Sequence, residues 1–143
     1  RPRTAGDAVF SIPYTIGSAI LRGDVFLQDF SSEEIQNVQR LREVDKVETV
    51  LDPAVESEAS RLGLRLSLNV AQVVADNGQV YEQEMQYPRG TPENPMTFED
   101  CATKARRCAQ YAEFAEARMD LLLEWVDQLE QLEDVSVIMD VLR

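Results

Sequence analysis

Histidine is absent from all 143 residues. Its absence removes the Ser-His-Asp triad, imidazole proton shuttling and most zinc sites together. Cysteine is nearly absent, with only Cys101 and Cys108. Both fall in one expected helix, where two turns separate them by roughly 10 Å, too far for a disulfide within it. Two cysteines make no secreted disulfide framework, so a reducing cytoplasm is the expected setting. Small, buried or half-buried thiols are the simplest reading of the pair. Positive charge is the third shortage: 14 basic against 26 acidic side chains leave a formal net charge of −12. Such acidity repels nucleic acid and anionic membranes, and neither is expected as a partner. The apolar run at 8–21 is too short to cross a bilayer. A Gly-rich phosphate loop, a Gly-x-Ser-x-Gly elbow, a Cys-x-x-Cys pair and a calcium loop are also missing, and neither metal nor cofactor is expected.

What remains is the composition of a folded globular chain, 44% hydrophobic and 28% charged, long enough for one domain or a small domain with an appendage. Arg1-Pro2-Arg3 supplies neither an initiator Met nor a signal peptide. The chain is therefore expected to be a piece of a longer one, or a processed product.

Apolar residues cover nearly the whole circumference of an expected helix over 7–22, capped by Asp7 and stopped by Gly23. Ser11, Thr15, Ser18 and Arg22 form its narrow polar stripe, and Pro13 should kink it. A helix so apolar must be buried on most sides. Ser31 with Glu34 reads as a capping box opening a helix to about Arg42. Residues 47–51 fit a strand closed by an Asp52-Pro53 turn, and 56–62 a helical turn or loop. Leu64, Leu66, Leu68 and Val70 alternate with polar residues at the period of a half-buried strand. Asp76-Asn77-Gly78 supplies a tight turn. The return strand, 80–87, places Tyr81, Met85 and Tyr87 opposite Glu82, Glu84 and Gln86. After a Pro-rich loop, Thr97 with Asp100 forms a second capping box, and the chain then reads as helical almost to its end. Over 112–132 the dry face carries Ala115, Met119, Leu122, Trp125, Val126, Leu129 and Leu132. Val135, Ile138, Met139 and Leu142 repeat the pattern. The fold class is α+β: a short antiparallel sheet with a long hairpin and flanking helices, then a C-terminal helical segment.

Few residues could carry chemistry. Glu82 and Glu84 share a strand face as an acid/base pair would, but read better as its solvent side. Trp125 and Met119 sit at core spacing. Arg89, Lys104, Arg106 and Arg107 cluster around the second capping box and could hold an anion; charge balance with adjacent acids accounts for them equally simply.

Four segments, taken together, resemble the MmgE/PrpD family. Asp7-Ala8-Val9-Phe10-Ser11-Ile12-Pro13-Tyr14, continuing to Ala19-Ile20-Leu21-Arg22-Gly23, is similar to its A-x-F-S-x-P-Y segment. The Asp76-Asn77-Gly78 hairpin resembles its strand turn. Residues 87–104, from Tyr87-Pro88-Arg89-Gly90 through Asn94-Pro95-Met96-Thr97 to Lys104, follow its Y-P-x-G-x-P-x-N-P motif. Residues 129–135 are similar to its L-E-x-L-x-D-V junction. The family includes 2-methylcitrate dehydratase, cis-aconitate decarboxylase and iminodisuccinate epimerase. The resemblance implies the C-terminal portion of a lyase or isomerase of small di- and tricarboxylates, cofactor-free, homodimeric and cytoplasmic, or mitochondrial in a eukaryote. It places 1–96 in the α+β small domain and 97–143 in helices returning to a missing N-terminal all-helical domain. It also implies that the acid/base residues lie upstream, so no catalytic residue is assigned in this chain. Ser11, Tyr14 and Arg89 are the candidate substrate contacts.

The competing expectation is a non-enzymatic acidic interaction module with a complete sheet. The enzyme-portion reading expects an exposed apolar patch around Phe10, Ile16 and Ile20 instead.

Overall fold

The computed structural model describes residues 1–63 and 69–142. It divides the chain into two compact units, Arg1–Thr49 with Ala102–Arg143, and Val50–Cys101. The expected α+β class is observed: among the described residues there are eight α-helices and one two-stranded antiparallel sheet.

In the first unit the apolar opening run makes two helices rather than one. Thr4, not Asp7, caps α1 (Ala5–Val9), and Asp7 closes a capping box with it. Ser11 then caps α2 (Ile12–Arg22), its hydroxyl accepting from the Tyr14 N–H at 3.3 Å. Pro13 therefore lies in the first turn of α2, where its missing N–H costs nothing, and no kink is required. Gly23, at φ 77°, ends α2 as expected. A 3-10 turn (Leu27–Phe30) leads to α3 (Ser32–Ile35), capped by Ser31. The helix expected to reach Arg42 breaks at 36–37, because Asn37 offers a new cap to the N–H groups of Gln39 and Arg40. Its second half is α4 (Val38–Val44).

α2 and α4 approach closely at Gly17. A Cβ there would stand 2.9 Å from the Val44 nitrogen, so glycine is what lets the backbones meet. Ala8, Tyr14, Ile35 and Val44 are buried as one cluster, with Phe30 packed against it.

The second unit departs from expectation at its start. Residues 47–51 join no strand, and Asp52-Pro53 is not a turn but the cap and first residue of α5 (Pro53–Arg61), where Asp52 accepts from the Ala54 N–H at 2.8 Å. The expected strand at 64–68 lies outside the described residues. Its continuation, β1 (Asn69–Val74), pairs antiparallel with β2 (Val80–Met85). Ala75 and Gly78 close a type I turn at 2.8 Å, and only Gly78 of the turn has a positive φ, 81°, the three-residue loop that ends in a left-handed glycine. Val70 pairs with Glu84, while Val73 pairs with Tyr81. The apolar sides of the two strands thus fall only partly on one face, and every position of both strands is exposed.

The Thr97–Asp100 box forms reciprocally and opens α6 (Phe98–Tyr111). The unbroken helix expected beyond it stops there: Glu113 takes φ 55°, and α7 (Glu116–Asp127) restarts after Ala115. A 3-10 turn (Leu129–Gln131) and α8 (Val137–Leu142) follow. On the expected dry face, Met119, Leu122 and Trp125 are half-buried, whereas Ala115, Val126 and Leu129 are exposed. In the terminal stretch Val141 is the buried residue, and Val135, Met139 and Leu142 face solvent. Cys101 is exposed and Cys108 half-buried, both with free thiols.

Candidate functional site

The polar stripe of α2 turns inward. Ser18 is buried, while Phe10 is 89% and Ile20 53% exposed, with Ile16 half-buried. The facing helix explains why Ser18 of that stripe is not in water. α4 delivers Arg40 across the Gly17 contact, and the Arg40 side chain is fully buried.

Each group around Arg40 has a defined role. The Ser18 hydroxyl donates back to the Tyr14 carbonyl at 2.8 Å, leaving its oxygen to accept from Arg40 Nη1 at 2.5 Å. Arg40 Nη2 donates to Asp29 Oδ1 at 2.9 Å and to Glu34 Oε2 at 2.7 Å. Arg22, at the end of α2, reaches the same two carboxylates from the surface side: Nε is 3.2 Å from Asp29 Oδ1, and Nη2 donates to Glu34 Oε1 at 2.8 Å. Two guanidiniums and two carboxylates therefore cancel in charge, which is the condition under which ions can be buried at all.

Asp29 spends its other oxygen on the Phe26 N–H at 2.7 Å, and its backbone carbonyl accepts from the buried Tyr14 hydroxyl. The Arg40 guanidinium lies 5.4 Å from the centre of the Tyr14 ring, within cation–π range. Arg40 Nε has no hydrogen-bond partner among the described residues.

The electrostatics follow the geometry. Burial raises the Tyr14 phenol above its ordinary value, so it stays a neutral donor. Burial pushes Glu34 upward too, but the Arg40 hydrogen bond and the Arg22 charge outweigh it and hold the carboxyl below its ordinary range. A carboxylate depressed in the folded state contributes stability that is complete above its unfolded value of about 4.5 and is lost as pH falls through the folded value. The urea midpoint is thus expected to drop between pH 5 and pH 3, and Glu34→Gln is expected to flatten part of that drop. An unchanged pH slope in the variant would refute the assignment.

Ser11 and Tyr14 are brought together at the start of α2, one as its cap and the other in the core. Arg89 belongs to the second unit, where it forms an exposed ion pair with Asp100. The Asp100 carboxyl, accepting from the Thr97 N–H as well as from Arg89, is held down to about 2. Of the other clustered bases, Arg106 pairs with Asp120 at 3.2 Å and Arg107 with Asp24 at 2.6 Å. Arg107 stacks 4.1 Å over the Phe26 ring. Beside it an open depression of about 340 Å³ is lined by Phe26, Gln28, Arg107, Gln110 and Tyr111. Among the described residues no group of three or more acidic or cysteine side chains could hold a metal, and no helix is long and apolar enough to cross a membrane.

Sequence reasoning missed Asp29, Glu34 and Arg40 as a unit. The available signal was the regular spacing of Ser11, Thr15, Ser18 and Arg22, which suits an inward seam as well as a wet one.

A search of curated proteins found no match. The family model of the MmgE/PrpD C-terminal domain matches residues 1–129, nine-tenths of a chain whose α+β units and Pro-rich loop carry the motifs read above, and the chain belongs to the MmgE/PrpD family.

Proposed function

We propose that the chain serves as the C-terminal domain of a lyase or isomerase that moves a proton beside a carboxylate of a small di- or tricarboxylic acid. The observation that carries this reading is the family match over residues 1–129. Proton abstraction at such a carbon needs a base, plus donors that hold the enolate-like intermediate. In this reading those groups come from an N-terminal helical domain of the same enzyme, which works as a cytoplasmic homodimer. The exposed apolar side chains of α1 and α2, Phe10 and Ile20 among them, suit a domain that packs against more protein.

Of the residues assigned to substrate, Arg89 keeps a 64% exposed side chain while paired with Asp100. Its guanidinium can exchange that partner for a substrate carboxylate at little cost, since exposed ion pairs are worth about 0–1 kcal/mol. Ser11 and Tyr14 contribute from the start of α2, Ser11 from a half-buried position and Tyr14 by fixing the helix beneath it.

The test is proton NMR in D₂O of the native polypeptide carrying this chain, with 2-methylcitrate, cis-aconitate and iminodisuccinate supplied in turn. Loss of a C–H signal with turnover of one of them is the expected result. No exchange and no product with any of them would remove the reading. The alternative of a non-enzymatic acidic interaction module would then stand on the ion pairs that already occupy Arg89, Arg106 and Arg107.

A further inference from the structure

Tyr14 is held at four points, and three of them lead to one residue of another helix. Its N–H donates to the Ser11 hydroxyl at 3.3 Å, across the first turn of α2. Its carbonyl accepts from the Ser18 hydroxyl at 2.8 Å, and the Ser18 oxygen in turn accepts from Arg40 Nη1 at 2.5 Å. Its own hydroxyl donates to the Asp29 backbone carbonyl, and the Asp29 carboxylate accepts from Arg40 Nη2 at 2.9 Å. Its ring centre lies 5.4 Å from the Arg40 guanidinium carbon. Tyr14, Ser18, Asp29 and Arg40 are each at most 1% exposed within this chain, so the clamp does not depend on what packs against the outside of the domain. Stability alone accounts poorly for it, since well-packed apolar residues in place of a buried ion network often leave a protein as stable or more so. What a guanidinium adds is a rigid planar fork that fixes several acceptors at once.

We propose that Arg40 is a positioning residue for the start of α2: it fixes the Tyr14 ring and hydroxyl and, through the Tyr14 N–H, the turn that presents Ser11. Its bearing on turnover rests on the assignment of Ser11 and Tyr14 as substrate contacts under the proposed function. Arg40 itself, enclosed beneath α2, acts only through these neighbours. Precise placement is where such a residue matters, because a displacement of about 1 Å at a reacting centre can cost about 10²-fold in rate. Arg22 and Glu34 complete the charge balance, and the Glu34 carboxylate meets Arg22, Arg40 and Asn37. Glu34 therefore belongs to the network without belonging to the clamp, which lets the two be separated.

The experiment uses the native polypeptide carrying this chain, with 2-methylcitrate, cis-aconitate or iminodisuccinate, whichever it turns over. Arg40→Met with Asp29→Asn removes the clamp and leaves the site neutral and filled. Circular dichroism gives the folded fraction, and kcat is taken per folded molecule. Carbon-13 NMR of Cζ-labelled tyrosine, with the line assigned by Tyr14→Phe, reports the Tyr14 hydroxyl. The double variant is expected to lose at least about tenfold in kcat, and its Tyr14 line to move toward those of exposed tyrosines. Arg40→Lys keeps the charge but not the fork; it is expected to shift both readouts the same way by less, and it serves if the double variant does not fold. Glu34→Gln is expected to keep the kcat and the line of the unaltered protein. A folded double variant with unaltered kcat overturns the proposal, and so does an unmoved Tyr14 line. A Glu34→Gln protein as slow as the double variant also overturns it, since the network as a whole would then set the rate. If the unaltered protein turns over none of the three acids, the reaction reading falls by itself, and the tyrosine line still decides whether Arg40 positions Tyr14.

Discussion

Replacing Arg40 with alanine is expected to cost about 3–5 kcal/mol of unfolding free energy, the usual penalty for breaking a buried ion pair by removing one partner. The Arg40 guanidinium is fully buried, and it contacts Ser18, Asp29 and Glu34 at once. Without it Asp29, itself buried, keeps only Arg22 as a cation, from the surface side. Ser18 is left with an acceptor oxygen that no longer meets a donor. The direction of rescue is the more informative half of the experiment. Arg40→Met combined with Asp29→Asn removes charge from both sides of the network, and it is expected to recover at least half of the loss, because burying an apolar or neutral group avoids the desolvation of an ion. Denaturant unfolding of the unaltered chain, the single and the double variant measures both. A single variant within about 1 kcal/mol of the original, the range of exposed pairs, would mean that the network is solvated in solution.

Tyr14→Ala is expected to cost a similar amount, about 3–5 kcal/mol, through the cavity left by a buried aromatic ring. Tyr14 sits among Ala8, Ile35, Val44 and Phe30, with its ring centroid 6.0 Å from that of Phe30. Tyr14→Phe separates the ring from the hydroxyl. It keeps the packing and removes only the hydrogen bond to the Asp29 carbonyl, so a loss of about 1–2 kcal/mol is expected from that variant. The pair of values also bears on Tyr14 as a substrate contact. In the native polypeptide, a Tyr14→Phe enzyme that is nearly as stable but far slower would show that the hydroxyl serves the reaction. Equal losses in stability and rate would leave it a core residue.

How much of this was legible beforehand depended on whether the deciding partner was local. The Thr97–Asp100 box, the Gly23 stop and the Asp76-Asn77-Gly78 turn each involve residues within four positions, and each was read correctly from the sequence. Local competition between caps was harder to judge. Thr4 stands three residues before Asp7 and takes the capping position from it, and Ser11 restarts a helix that composition alone would have continued. Asn37 does the same between α3 and α4. The inward turn of the α2 stripe was not legible, since it depends on Arg40, 22 residues from Ser18, and on the missing Cβ of Gly17. The exposed patch at Phe10 and Ile20 was anticipated, yet for a reason that also predicted burial of the rest of the helix. The family motifs added what periodicity could not, because the Tyr87–Thr97 loop has no regular spacing and its pattern is a list of turn and cap residues.

The stretch between α2 and α3 is anchored from both directions. Asp29 ties its far end to Arg40 and Arg22, while Asp24 and the Phe26 ring hold its near end against Arg107 of α6. Surface connections ordinarily open on their own, well below the free energy of global unfolding. This one cannot lift without giving up a buried charge network at one end or a stacked guanidinium at the other. It therefore belongs to the same cooperative block as α2, α4 and the last turns of α6 that it touches, and its amides should exchange with deuterium at the pace of those helices rather than at the pace of a loop.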